Sequence, residues 1–225
     1  VLTVSASIAD GYNIGLVSED LNKALEEYEP PDGCKIEVSG ENVTINDAME
    51  QLIQMMLLGV IMIYFIMVAQ FQSFLSPFIV MFTIPLAFTG GFLGLFLTGN
   101  EISVIAAIGF IMLSGVVVNN GIVLVDYINQ LRLEGWERRE AIIEAGKTRM
   151  RPILMTAITT ILGLMTMAMG IGSGADMMQP IAIVTVGGLT YATIMTLFVI
   201  PVMYDIFARK QMKSVDKREL EILDD

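Results

Sequence analysis

ISVIAAIGFIMLSGVVVNNGIVLVDYI, residues Ile102 to Ile128, is an apolar run broken near its middle only by Asn119 and Asn120. It exceeds the ~20 residues that carry a helix across ~30 Å of hydrocarbon. A polar pair at that depth is costly unless other helices or trapped water satisfy its amides, so it belongs in the interior of a helix bundle. The run therefore predicts a membrane-spanning helix that packs against others and carries function inside the bilayer.

The rest of the chain supports that reading. It is 225 residues long and 54% hydrophobic, with a mean hydropathy of +0.67, well above a soluble domain. Further apolar runs lie at about 52–70, 76–97, 153–171 and 179–207. Five spans are expected, as helices over about 45–70, 75–97, 102–128, 150–171 and 178–207. Gln70, Gln72, Ser73, Ser76 and Pro77 mark a tight turn between the first two. The fold class expected is thus a mostly α membrane protein, with the bundle over 44–208 and a tail over 209–225.

The formal charge of −11 is segregated. Residues 1–50 hold eleven acids against Lys23 and Lys35. The other bases are Arg132, Arg138, Arg139, Lys147, Arg149 and Arg151 between the third and fourth spans, and Arg209, Lys210, Lys213, Lys217 and Arg218 after the fifth. Short basic loops mark the cytoplasmic side. Five spans put the chain ends on opposite sides, so the acidic N-terminal segment is expected outside and the C-terminus in the cytoplasm of a multi-pass plasma (inner) membrane protein.

Residues 1–43 read as a small strand–helix–strand unit. Leu2, Val4, Ala6 and Ile8 alternate with polar neighbours over Val1 to Ala9. Asp10 to Asn13 is a turn with Asn13 as helix N-cap, and Val17, Leu21, Ala24, Leu25 and Tyr28 recur at helical spacing. Pro30 to Gly33 ends the helix, and alternation resumes over Lys35 to Ser39. The unit is too small to bury a core alone, so it is expected to complete a larger extracytoplasmic domain. The chain opens on Val1 in mid-strand, so it is read as the C-terminal part of a longer protein.

Within the spans, Gly90-x-x-x-Gly94 permits close helix approach. Leu133, Trp136, Ile143 and their basic neighbours suggest an amphipathic connector at about 132–148 lying on the inner membrane surface. Adjacent helical positions are 100° apart, so one of Asn119 and Asn120 should face a neighbouring helix and the other a groove or cavity. Interhelical hydrogen bonding alone, worth about 0.6–2 kcal/mol per pair, is the plainer alternative. Asp126 lies on the Asn119 side (i, i+7), near the basic loop. Thr156, Thr159, Thr160 and Thr166 dot the fourth span, where hydroxyls can bond their own helix. Arg149 and Arg151 flank its cytoplasmic end.

Several chemistries have no residues to carry them. There is no histidine and a single cysteine, Cys34, so no zinc or haem site, no internal disulfide and no cofactor is expected. No phosphate-binding loop motif occurs, and no span holds a paired-carboxylate or Ser/His/Asp set. The seventeen methionines are adaptable apolar filler. A catalytic site is not expected, and neither is a nucleic-acid partner.

The run Val116-Val117-Val118-Asn119-Asn120-Gly121-Ile122-Val123-Leu124-Val125-Asp126-Tyr127, followed by Arg149-Met150-Arg151-Pro152-Ile153-Leu154-Met155-Thr156, resembles the resistance–nodulation–division (RND) superfamily. Within it the pattern is most similar to the hydrophobe/amphiphile efflux branch, over essentially the whole chain. Gln70-Phe71-Gln72-Ser73-Phe74 and Pro85-Leu86 also match. The resemblance implies a subunit of a homotrimeric, proton-driven multidrug efflux antiporter that works with a periplasmic adaptor and an outer-membrane channel, its N-terminal piece belonging to the porter domain. In the family, an acid pair on the fourth transmembrane helix exchanges protons with groups on the tenth and eleventh. By position, Asn119 stands where many drug pumps have the relay lysine, Asn120 matches a neighbouring asparagine, Thr156 the relay threonine and Arg149 an arginine near the cytoplasmic end of the path; Asp126 is a candidate accessory residue from its place on the helix, outside that carry-over. An amide cannot switch charge as a lysine does, so charge compensation must differ here. Two other readings stay open: a superfamily member assisting protein or lipid export, and a non-transporting fragment.

Overall fold

The computed structural model describes residues 4–6, 14–26, 28, 41–172 and 174–208, and divides into two compact units, Val1–Gln54 and Met55–Asp225. In the first unit, α1 (Ile14–Glu26) carries a Lys23–Glu19 ion pair of 2.8 Å one turn apart on an exposed face. A long helix, α2, starts at Glu41 and continues through Gln54 to Phe71. The strand expected at Val1–Ala9 is not formed at residues 4–6, where the chain is exposed and makes no ladder. Alternation alone does not make a strand: its backbone groups need a neighbouring strand to pair with. Among the described residues there is no strand at all. The turn at 10–13, Cys34, the second strand at 35–39 and the basic tail from Arg209 lie outside them.

The second unit holds the rest of α2, then α3 (Leu75–Met81), α4 (Thr83–Thr98), α5 (Val104–Leu133), α6 (Arg138–Ala168) and α7 (Ala175–Phe207). Among the described residues five stretches are long and apolar enough to cross a membrane; the first, Val43–Phe71, begins in the first unit, and α3 and α4 together make the second. The break between them, at Phe82, follows from Pro85: it has no N–H for the carbonyl of Met81, so α4 starts with the proline in its first turn. Thr83 Oγ1 donates to the Val80 carbonyl at 2.7 Å across the break.

Chain reversals are set by local chemistry. Gln72 takes φ 48° in the tight turn after α2. Gly99, at φ 70°, ends α4 in the left-handed conformation, with the Asn100 N–H bonded back to the Leu95 carbonyl. Ser103 caps α5 by accepting from the Ala106 N–H at 3.1 Å. The connector expected at 132–148 is not a separate helix. Arg132 and Leu133 finish α5, Gly135 turns the chain at φ 95°, and α6 runs unbroken from Arg138 through Pro152. Arg149-Met150-Arg151-Pro152 reads as a boundary, yet a proline costs a helix only one donor and a kink, and α6 absorbs both.

α7 is the hub, packing against α3, α4, α5 and α6. Its contact with α4 is backbone to backbone. A Cβ built on Gly187 would lie 2.9 Å from the Gly90 carbonyl oxygen and 3.1 Å from Gly94 Cα; one built on Gly90 would lie 2.5 Å from Tyr191 Cβ. The core runs in two clusters along the bundle. One gathers Ile79, Val80, Leu124, Ile128, Ile200 and Tyr204; the other gathers Ala87, Phe110, Leu113, Val117, Val184 and Leu189. By contrast, α2 and α6 keep most of their apolar surface open, with only 6% and 11% of their apolar windows buried.

A buried polar network ties α3, α5 and α7 at the end of the bundle where α5 finishes. The Tyr204 hydroxyl donates to Asn129 Oδ1, and Asn129 Nδ2 donates to Ser76 Oγ at 3.2 Å. Arg132 donates to the Tyr204 oxygen at 3.2 Å and to the Ala208 carbonyl at 3.4 Å, at the C-terminus of α7. Next to it, an Arg138–Asp205 ion pair of 2.8 Å fastens the start of α6 to the end of α7.

Two outcomes follow for the 225-residue chain in bilayer discs. Gly187→Ala should lower the free energy of unfolding by about 1–3 kcal/mol, because both crowding atoms are backbone and no rotamer can yield. Gly115→Ala, which meets nothing within 4 Å, should not. Tyr204→Phe should cost about 1–3 kcal/mol by leaving the buried Asn129 Oδ1 without its donor and removing one acceptor from Arg132. Reversible denaturation followed by circular dichroism measures all three.

Candidate functional site

Asn119 and Asn120 sit midway along α5, just past the point where one core cluster (Val117) gives way to the other (Val118). They border a cavity of about 410 Å³. α5 contributes Gly115, Val116 and both asparagines; α6 contributes Thr156, Ala157 and Thr160; Leu189 of α7 closes the back. Gly115 opens the space, since no heavy atom lies within 4 Å of where its Cβ would be. Both asparagines border this cavity. The cavity is wide enough to span adjacent positions, with Asn119 exposed at the rim and Asn120 buried at 9% exposure.

The hydroxyls and amides are used differently. Thr156 Oγ1 donates to the Ile153 carbonyl at 2.9 Å, and Thr160 Oγ1 donates to the Thr156 carbonyl at 2.8 Å. Their protons are spent on α6, so the two oxygens offer only acceptor lone pairs to anything else. Neither Asn119 nor Asn120 makes a side-chain hydrogen bond among the described residues. Every side chain on the cavity wall is neutral.

Of the residues singled out from the sequence, the structure brings Asn119, Asn120 and Thr156 together and leaves two apart. Arg149 lies about two turns nearer the α5–α6 corner, its guanidinium 4.5 Å from the ring centroid of Tyr127. Asp126 accepts from Gln130 Nε2 at 2.7 Å on its own helix and does not reach the cavity. Thr160 bonds its own helix as expected and also borders the cavity, its i+4 spacing putting it on the face of Thr156. Gly115, i−4 from Asn119, carried the same signal.

Comparison with known proteins gives the family. Residues 1–208 match the model of the AcrB/AcrD/AcrF family. The chain is 36% identical over 208 residues to the swarming motility protein SwrC of Bacillus subtilis, covering 92% of this chain and 20% of that protein. It is 34% identical over 219 residues to the cobalt-zinc-cadmium resistance protein CzcA of Cupriavidus metallidurans, covering 97% of this chain and 20% of the relative. A crystal structure of a heavy metal efflux pump superposes with a TM-score of 0.76 at 31% identity, over 89% of this chain and 20% of that one. The chain thus spans about one-fifth of the length of the relatives it matches. On the family match and these likenesses together, the chain belongs to the AcrB/AcrD/AcrF family of resistance–nodulation–division efflux transporters.

Proposed function

We propose that this chain forms the C-terminal transmembrane part of a proton-driven efflux transporter subunit, and that the α5–α6 cavity belongs to its proton-relay region. The observation that carries the reading is the cavity itself, a polar pocket at mid-helix in a bundle otherwise packed with apolar side chains. Asn119, Asn120 and Thr156 would hydrogen-bond the protonated form of an acid on a helix from elsewhere in the subunit, because no wall residue can itself take up or release a proton. Arg149, held against Tyr127, would set the potential on the cytoplasmic side of the path, with Asp126 as an accessory group near the same surface.

The charge pattern supports the orientation. Arg132, Arg138, Arg139, Lys147, Arg149 and Arg151 gather at the α5–α6 corner, which would be cytoplasmic, so residues 1–43 would join an extracytoplasmic porter domain. Trimer formation, a periplasmic adaptor and an outer-membrane channel follow for the whole protein on the same reading. The substrate proposed is an amphiphilic organic molecule, as the sequence motifs imply. A second reading, export of divalent metal ions, is favoured by the likeness to CzcA and to a heavy metal efflux pump.

Asn119→Leu and Thr156→Ala, introduced into the full-length protein in proteoliposomes with an imposed proton gradient, should each slow export about tenfold or more, since each removes a hydrogen bond at the relay. Unchanged export in both variants overturns the relay assignment. Running a fluorescent amphiphile and a divalent metal ion side by side decides between the two substrate readings.

A further inference from the structure

Of the cations at the α5–α6 corner, three are held by the chain itself. Arg132 bonds Tyr204 and the end of α7, Arg138 pairs with Asp205, and Arg149 stacks on Tyr127. Arg139, Lys147 and Arg151 are exposed and have no ion pair or hydrogen bond among the described residues. Lys147 and Arg151 stand four positions apart on one face of α6, about 6 Å along its axis. Like charges at that spacing repel, so the pair is disfavoured unless an anion neutralises it. Glu140 and Glu144 share the face but lie farther from the apolar stretch. Glu144 accepts from Thr148 at 3.4 Å, and neither acid pairs with a cation among the described residues.

α6 has two open faces of different make. Thr156, Thr159 and Gly163 are exposed on the cavity side, and small residues of that kind are what a neighbouring helix packs on. Each position turns the helix by about 100°, so Lys147, nine before Thr156, lies on the opposite side. Below Lys147 and Arg151 on that side come Ile158, Leu162, Met165 and Met169, all exposed and all bulky. They offer a second helix neither a small residue nor a polar group, whereas acyl chains solvate such a surface fully.

We infer that this outer face of α6 binds an anionic phosphodiester glycerolipid, its phosphate seated between Lys147 and Arg151 and its acyl chains lying along Ile158, Leu162 and Met165. The two cations select the charge of the headgroup. The apolar column below them selects a lipid over a free phosphate, which would gain nothing from it. Because the site faces away from the cavity, a helix packed on Asn119 and Thr156 leaves it open. A lipid held there steadies the helix that carries Thr156 and Thr160 on the side that α5 and α7 leave bare.

Photolabelling of the full-length protein in phosphatidylcholine discs tests the inference. The probe is phosphatidylglycerol carrying a diazirine on one acyl chain, and peptide mass spectrometry reads where it attaches. In the wild type, residues 158–165 should be labelled; unlabelled phosphatidylglycerol should compete, and added inorganic phosphate should not. Lys147→Gln and Arg151→Gln should each lower that labelling about fivefold, and the double variant about twentyfold or more, through loss of one and two headgroup contacts. Labelling at residues 194–202, where Ile194, Phe198 and Val202 of α7 are also open, should not change and is the internal reference. Lys147→Arg, which keeps the charge, and Arg139→Gln, eight positions from Lys147, should label as the wild type does. Circular dichroism and gel filtration check that each variant is folded, and the single variants carry the test should the double one fail. No labelling at 158–165, equal labelling by a diazirine phosphatidylcholine, equal labelling of all the folded variants, or competition by inorganic phosphate overturns the inference. Labelling requires no proton gradient and no transport, so a negative result here leaves the efflux reading standing, and a failure of export leaves the lipid site standing.

Discussion

Contact between the backbones of α4 and α7 sets the spacing of the whole bundle. In a bilayer, lipid tails solvate leucine as well as another leucine does, so apolar burial gives helices little reason to associate. Dispersion at close range and shared polar groups must do it instead. Gly90 and Gly94 against Gly187 and Gly188 bring two main chains together with no side chain between them. α5 is then added by the same device. Gly109 lies against Ile181 and Val184, and Gly121 against Val80 and Ile200, which aims the α5 face carrying Asn120 toward α6 and α7. The cavity opens where α5 faces α6, beside Gly115, which has no heavy atom within 4 Å of where its Cβ would be.

Polar groups inside the bundle receive two opposite treatments. At the α5–α7 corner, Ser76, Asn129, Arg132 and Tyr204 satisfy one another across three helices, and Arg132 also caps the final carbonyl of α7. Midway along α5, Asn119 and Asn120 make no side-chain hydrogen bond among the described residues and border the cavity instead.

Much of the membrane architecture was legible because hydrocarbon imposes a simple length and composition rule, and the five apolar runs obey it. Gly90-x-x-x-Gly94 was legible for its close approach, and Asn119 and Asn120 for their cost at membrane depth, whereas Thr156 stood out only through the family resemblance. Harder to read were features decided by distant partners. Ser76 looked like a turn marker and Arg132 like one of several loop cations, yet their hydrogen bonds reach across 53 and 76 residues of sequence. Pro152 and Phe82 show the limit of local rules. The proline that promises a boundary is absorbed in α6, while the break before α4 falls three residues ahead of Pro85. The alternation at Val1–Ala9 failed at residues 4–6 for a different reason: a strand is a property of a pair.

The Arg138–Asp205 ion pair gives α6 an unequal hold. The start of the helix is fastened to α7, whereas little of its apolar surface further along is covered. Thr156 lies 18 positions beyond Arg138, about 27 Å along the axis, so each degree of tilt about that corner would carry it sideways by about 0.5 Å. A rocking too slight to disturb the ion pair is thus enough to change how far Thr156 stands from Asn120.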